Sequence, residues 1–224
     1  MNEDFINTLL LTGKLAGFTT IILFIIGMPI AYLLAYKRFW FKSFVEAMIS
    51  MPMVLPPTVL GFYMLVAYSP QNAFGGFLDK YLDVRLAFSF EGVLLASVVF
   101  SLPFMIQPLQ NGLTAIPVSF REAAYTLGKS KTETFFKVLI PNMIPSIVTA
   151  LAMTFAHCIG EFGVVIMVGG NMPGETRVAS IAIYDEVQAL NYDVANQYSL
   201  VLFIISLVIL TVIYSMNGKS APNP

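Results

Sequence analysis

Charge is scarce in this sequence. Of 224 residues, 12 are Lys or Arg and 13 are Asp or Glu, 11% in all. A soluble domain usually carries about 25%. Cys158 is the only cysteine, which excludes an intramolecular disulfide and a multi-cysteine metal site. His157 is the only histidine, which excludes a poly-histidine metal site. No basic run exists and the formal net charge is −1, so a nucleic-acid partner is not expected. The G-x-x-x-x-G-K-[ST] pattern is absent, so the chain holds no P-loop for ATP. What is abundant is apolar surface: 57% of residues are hydrophobic and the mean hydropathy is +0.78. Too much of it is present for a disordered chain.

The few charges are spaced to leave long gaps. Lys14 and Lys37, Glu46 and Asp79, Glu91 and Arg121, Lys137 and Glu161, and Asp193 and Lys219 each bracket an uncharged stretch. Roughly 20 apolar residues cross the hydrocarbon core of a membrane as a helix. The gaps therefore predict an all-α integral membrane protein with five transmembrane helices, at about 15–36, 45–68, 92–110, 140–163 and 197–216. The runs are continuously apolar rather than alternating, which argues against strands. The first run follows an acidic flank (Met1-Asn2-Glu3-Asp4) and reads as a retained helix, not a signal peptide. Lys/Arg bias gives the orientation. With the N-terminus outside, Lys37, Arg38, Lys42, Arg121, Lys129, Lys131, Lys137 and Lys219 lie inside, against Lys14, Lys80, Arg85 and Arg177 outside. The expectation is N-out, C-in, with a short cytoplasmic tail at 217–224. The long outer loops, about 69–91 and 164–196, are expected to hold short helices or re-entrant pieces.

Eight of the 13 prolines fall in or beside apolar spans: Pro29, Pro52, Pro56, Pro57, Pro103, Pro108, Pro141 and Pro145. Each lacks an N–H and disturbs the helix that holds it. In lipid the freed carbonyl needs another partner or a wet cavity, so Pro52-Met-Val-Leu-Pro56-Pro57 is read as part of a pathway. Between spans three and four, at 117–137, two capping boxes follow one another. Ser119 and Glu122 predict a helix beginning at Phe120; Ser130 and Glu133 predict the next. Gly128 between them suits a left-handed turn. The first helix carries Phe120, Ala123, Ala124 and Leu127 on one stripe. It is too short to stand alone, so the stripe must bury against this protein, the lipid interface or a cytoplasmic partner.

Those residues carry a resemblance. Glu122-Ala123-Ala124, then Gly128, then Val138 and Ile140-Pro141 resemble the EAA-x3-G-x9-I-x-L-P signature of ABC importer permeases, with Val for Ile and Ile for Leu. Gly160-Glu161-Phe162-Gly163, Gly170-Asn171-Met172-Pro173-Gly174-Glu175-Thr176-Arg177 and Pro52-Met-Val-Leu-Pro56-Pro57-Thr58-Val59-Leu60-Gly61 look like molybdate-transport permeases. Sulfate, thiosulfate and tungstate permeases share much of this pattern. The resemblance covers about residues 8–216. It implies the type I ABC importer permease fold, with 117–137 as a cytoplasmic coupling helix and its turn. Glu122, Ala123, Ala124, Gly128 and Pro141 would then couple to an ATP-binding subunit present in two copies. ATP and Mg would be bound by that subunit, with no cofactor in this chain. An extracytoplasmic oxyanion-binding protein and a second copy of this chain complete the implied partners, beside membrane lipid.

No catalytic pair or metal set is present in the spans, which also contain no Asp. An intramembrane enzyme is therefore disfavoured, and an autonomous channel or secondary transporter leaves the 117–137 loop without a role. Pro56, Pro57, Glu161 and Gly163 are the candidates for a gate or pathway. His157 and Glu161, four apart, are expected on one helix face within hydrogen-bonding reach, with Glu161 as a paired carboxylate at the outer boundary. Thr58, Ser101, Gln107 and Asn111 are the unranked donors an anion path would need. Arg177 is read as solvated, or as meeting a docked binding protein or the anion. Cys158 is read as a small buried side chain.

Overall fold

The structure, a computed structural model, describes residues 3–218. Residues 219–224 of the expected tail, with Lys219, lie outside the described residues. All regular elements among the described residues are helices. The first is α1, Glu3–Tyr36, with Glu3 and Asp4 in its first turn, where acidic groups suit the helix dipole. It continues through Pro29. Its buried stripe runs from Thr12, Leu15 and Ala16 through Thr19 and Leu23 to Gly27, Ala31 and Leu34. Thr12 and Thr20 donate to the carbonyls of Thr8 and Ala16, each at 2.7 Å, so these hydroxyls cost little in an apolar setting.

The stripe packs on α5, Phe90–Ala115, the central helix. Ser89 caps α5 by accepting from the Gly92 N–H at 3.1 Å. Met105, Ile106, Leu109 and Leu113 of α5 are fully buried against Leu23, Ala31 and Leu34. The opposite half of the core joins Leu15, Leu60, Val93, Val164, Val168 and Ile181. The last helix, α12, Tyr192–Gly218, is peripheral: 11% of its most apolar window is buried. Phe203, Leu207 and Val208 stand exposed along it, as a lipid-facing surface requires.

Among the described residues three helices, α1, α5 and α12, are long and apolar enough to cross a membrane, or up to five spans if each of two bent pairs counts as one. The bends fall in the stretches 45–68 and 140–163, where the prolines are expected to disturb the helices. In the first pair, α2 (Lys42–Ser50) and a 3₁₀ turn (Met51–Met53) meet α3 (Pro57–Tyr68) at 107°. Pro56 lies at φ −55°, ψ 133°, extended backbone that ends one helix and starts the next at Pro57. In the second pair, α7 (Lys131–Thr134), a π-helical stretch (Phe135–Leu139) and α8 (Ile140–Asn142) meet α9 (Ile144–Gly160) at 73°. Met143, between Pro141 and Pro145, is the corner.

Short helices fill both loops expected outside: α4 (Ala73–Leu82), α10 (Gly163–Gly169) and α11 (Ala179–Gln188). Between α5 and α7 lies α6, Val118–Thr126. It begins at Val118, not Phe120, and the Ser119–Glu122 box does not form. Pro117, with its fixed φ of −55°, is the N-cap and no side chain caps the helix. Phe120 N–H bonds the Pro117 carbonyl at 3.1 Å instead. The second box is complete: Ser130 accepts from Glu133 N–H at 3.2 Å and Glu133 returns to Ser130 N–H. Lys137 hydrogen-bonds Glu133 at 3.1 Å, and with the Ser130 N–H and Lys129 holds its carboxyl below the usual range. Gly128 has φ +76°, as expected of the turn.

Candidate functional site

Two regions gather the residues singled out in the sequence. The first is where α9 ends. Gly160 closes α9, and Glu161 follows in extended conformation at φ −70°, ψ 126°. The chain re-enters a helix at Gly163, which lies against the start of α3. A Cβ on Gly163 would stand 2.7 Å from Cβ of Pro57 and 3.5 Å from the Thr58 nitrogen. Pro57, Phe100, Ala156, His157, Gly160, Glu161, Phe162 and Gly163 line one hollow of about 500 Å³. The structure thus brings Pro57, Glu161 and Gly163 together. Pro56 stands one residue outside the lining, as the cap of α3.

Glu161 departs from expectation. It is 4% exposed, and no hydrogen bond of ordinary geometry reaches its carboxylate oxygens among the described residues, with the Ser97 hydroxyl the polar side chain that acts on it. It does not pair with His157, because α9 stops before it and the one-turn spacing of a helix no longer applies. His157 instead stacks on Phe104, with ring centroids 3.9 Å apart, and its Nε2 is also without a partner. Glu161 is fixed through its backbone: Ser180 of α11 donates to its carbonyl at 2.6 Å. Nothing in the sequence marks Ser180, which lies 19 positions away. A buried charge without a partner costs several kcal/mol, in rough terms. Glu161 therefore needs a partner, a proton or a change of position. Cys158 is buried, as expected, with its sulfur 3.2 Å from the Ser101 hydroxyl.

Of the other donors, Gln107 is spent on the Ser50 hydroxyl at 3.0 Å. Arg177 is partly exposed and ion-paired: its guanidinium lies 3.5 Å from both Asp185 and Glu186 of α11.

The second region is α6. Ala124 is its only buried residue. Phe120 is exposed and Leu127 is 79% exposed, so this chain covers the stripe at Ala124 and leaves its two large side chains open. With Ser119, Ala123, Ala124 and Val138, these two side chains line a shallow hollow of about 450 Å³. Ala123 and Ala124 keep its floor low. Pro141 lies apart, near the corner at Met143.

Residues 27–223 match the family described as "Binding-protein-dependent transport system inner membrane component". The chain belongs to this family. As an inner membrane component of such a system it is a permease of the ABC transporter class. The molybdenum transport system permease protein ModB of Azotobacter vinelandii is 42% identical over 216 residues, 96% of this chain and 95% of that protein. A probable sulfate transport system permease protein, cysT of Chlorella vulgaris, is 33% identical over 93% of this chain and 78% of its own length. Among solved structures, an inward-facing MetNI methionine ABC transporter superposes with a TM-score of 0.74. That match has 20% identity and covers 99% of this chain and 100% of the other. It shows the type I importer permease fold alone.

Proposed function

We propose that this permease is the membrane-spanning subunit of an ATP-driven importer that moves molybdate across the cytoplasmic membrane by alternating access. The 42% identity to ModB along nearly the whole of both chains carries the choice of anion. In this reading the protein lies N-out, C-in, and two copies enclose the path, each docking one ATP-binding subunit. That subunit binds ATP and Mg; this chain holds neither. An extracytoplasmic binding protein selects and delivers the oxyanion. High-affinity selection outside suits a path whose helices are poor in cations, since a transport site must also release its ion.

The exposed stripe of α6 supplies the docking surface, with Glu122, Ala123, Ala124, Gly128 and Pro141 as coupling residues. Leu127→Asp should weaken association with the ATP-binding subunit by about 30-fold or more, the scale of an interfacial hot spot. Co-purification of the two subunits measures this directly. Undiminished association would show that the stripe faces something else. Pro56, Pro57, Glu161 and Gly163 form the gate region, where α3 and α10 touch. Glu161→Gln keeps the shape and removes the charge, and is expected to lower uptake only in part. Complete loss of uptake, with normal membrane insertion, would make the charge itself part of the gate.

The deciding experiment is uptake of labelled molybdate in cells with and without this chain, with sulfate and tungstate as competitors. Loss of high-affinity molybdate uptake that excess sulfate does not compete supports the reading. Intact molybdate uptake with lost sulfate uptake would replace the anion, a reading that the cysT similarity favours next.

A further inference from the structure

We propose that Tyr36 is the positioning residue through which movement of α6 reaches the membrane-spanning helices; this rests on the importer reading above. The Arg121 guanidinium of α6 lies over the Tyr36 ring, 4.2 Å from its centroid. The Tyr36 hydroxyl donates to the Leu113 carbonyl in the last turn of α5 at 2.8 Å. That carbonyl has no helical partner to lose, because the residue four positions on is Pro117, which has no N–H. The ring also meets Tyr32 edge-on at 5.1 Å, and Tyr32 meets Phe135 of the π-helical stretch at 5.4 Å. Tyr36 therefore joins the end of α1 to α6 and the end of α5, and through Tyr32 to the helix that leaves the Gly128 turn.

The connection continues along α1. This helix is unbroken for 34 residues, about 50 Å at 1.5 Å per residue. Near its far end the Thr12 hydroxyl accepts from the Ala179 N–H at 2.8 Å, at the first residue of α11. The next residue, Ser180, holds the Glu161 carbonyl. The same continuous helix, with Pro29 inside it, thus has a cation–π grip on α6 at one end and, towards the other, a hydrogen bond to the element that positions the gate region. Displacing Arg121 along the membrane normal must break the grip, bend α1 at Pro29 or move α1. Because α6 buries only Ala124 by itself, this grip is a large part of what ties it to α1.

The test uses the full complex in proteoliposomes: this chain, its ATP-binding subunit and its binding protein, with molybdate uptake and ATP hydrolysis read together. In Tyr36→Leu, hydrolysis should persist while molybdate imported per ATP falls about tenfold, within the usual range of coupling between sites. Tyr36→Phe keeps the ring under Arg121 and loses only the Leu113 bond, so its ratio should fall less. Arg121→Leu should match Tyr36→Leu, and the double variant should be no worse than either single one. Arg121→Lys, which restores a cation, should recover most of the ratio. A wild-type ratio in Tyr36→Leu would overturn the inference. So would additive losses in the double variant, or a parallel fall of hydrolysis and uptake with loss of the assembled complex in Tyr36→Phe. If the unaltered complex imports no oxyanion with ATP, the importer reading itself falls, and the inference with it.

Discussion

Gly128→Val is expected to abolish uptake while leaving the protein inserted in the membrane. Gly128 lies in the turn after α6 at φ +76°, a conformation that costs an L-residue about 1–2 kcal/mol and a β-branched one more. Space is not the issue: a Cβ there meets nothing within 4 Å. The cost is conformational, and the turn has two ways to avoid it. It can move to negative φ, which re-aims α6 relative to α7, or it can unwind the last turn of α6. Either breaks the local pattern in which Gly128 N–H bonds Tyr125 and Lys129 N–H bonds Ala124. The helix would then present Phe120 and Leu127 in the wrong direction to the ATP-binding subunit. Gly128→Asn separates this argument from a packing one, because Asn tolerates the left-handed region far better than Val. Uptake in Gly128→Asn should return to within a few-fold of the unaltered chain. Equal loss in both variants would mean that the surface at this position matters and its backbone does not. Membrane fractionation shows insertion, and transport of labelled oxyanion shows the defect.

This part of the molecule was legible in the sequence because its signals are local. A Gly in a left-handed turn and a Ser-x-x-Glu box are decided by a few neighbouring atoms, and Gly128 and Ser130–Glu133 behave as expected. The Ser119–Glu122 box has the same spacing and does not form. Pro117 had already fixed the helix start two residues earlier, so a second local signal won. The all-helical character was likewise legible from the apolar runs. The bends were not: prolines announce that a helix is disturbed, but whether it kinks mildly or turns by 107° depends on what the next segment packs against. The environment of Glu161 was the least legible. Its pairing with His157 is read from the four-residue spacing of a continuous helix, and the end of α9 at Gly160 removes that spacing. Ser180 and Tyr36 act through tertiary contacts, and no pattern in the chain marks either one.

Gly163→Val should be the most damaging single change in the gate region. Gly163 is a place where α10 and α3 touch without room for a side chain. Its φ is not unusual, so the requirement is one of contact. A Cβ there would stand 2.7 Å from Cβ of Pro57, part of a rigid ring that cannot swing aside. Gly61, one turn further along α3, repeats the constraint: a Cβ would meet Met167 Cβ at 2.7 Å and the Val164 backbone at 3.2 Å. The two glycines form a seam that lets α3 and α10 lie together, and Pro57 and Gly163 of that seam also line the hollow beside Glu161. Overpacking such a contact costs about 1–3 kcal/mol. That is too little to unfold a bundle whose main packing is α1 on α5 and α9, but enough to part α10 from α3. Uptake is therefore expected to fail in Gly163→Val with the subunit still assembled on its ATP-binding partner. Gly163→Ala, which adds the Cβ alone, should give an intermediate loss and a lower midpoint of thermal unfolding in detergent. If Gly163→Val transports normally, the seam has room to open without consequence, and Pro57 and Gly163 are structural neighbours rather than parts of a gate. If Ala and Val are equally inactive, the loss does not scale with the size of the added side chain, and the graded overpacking argument fails.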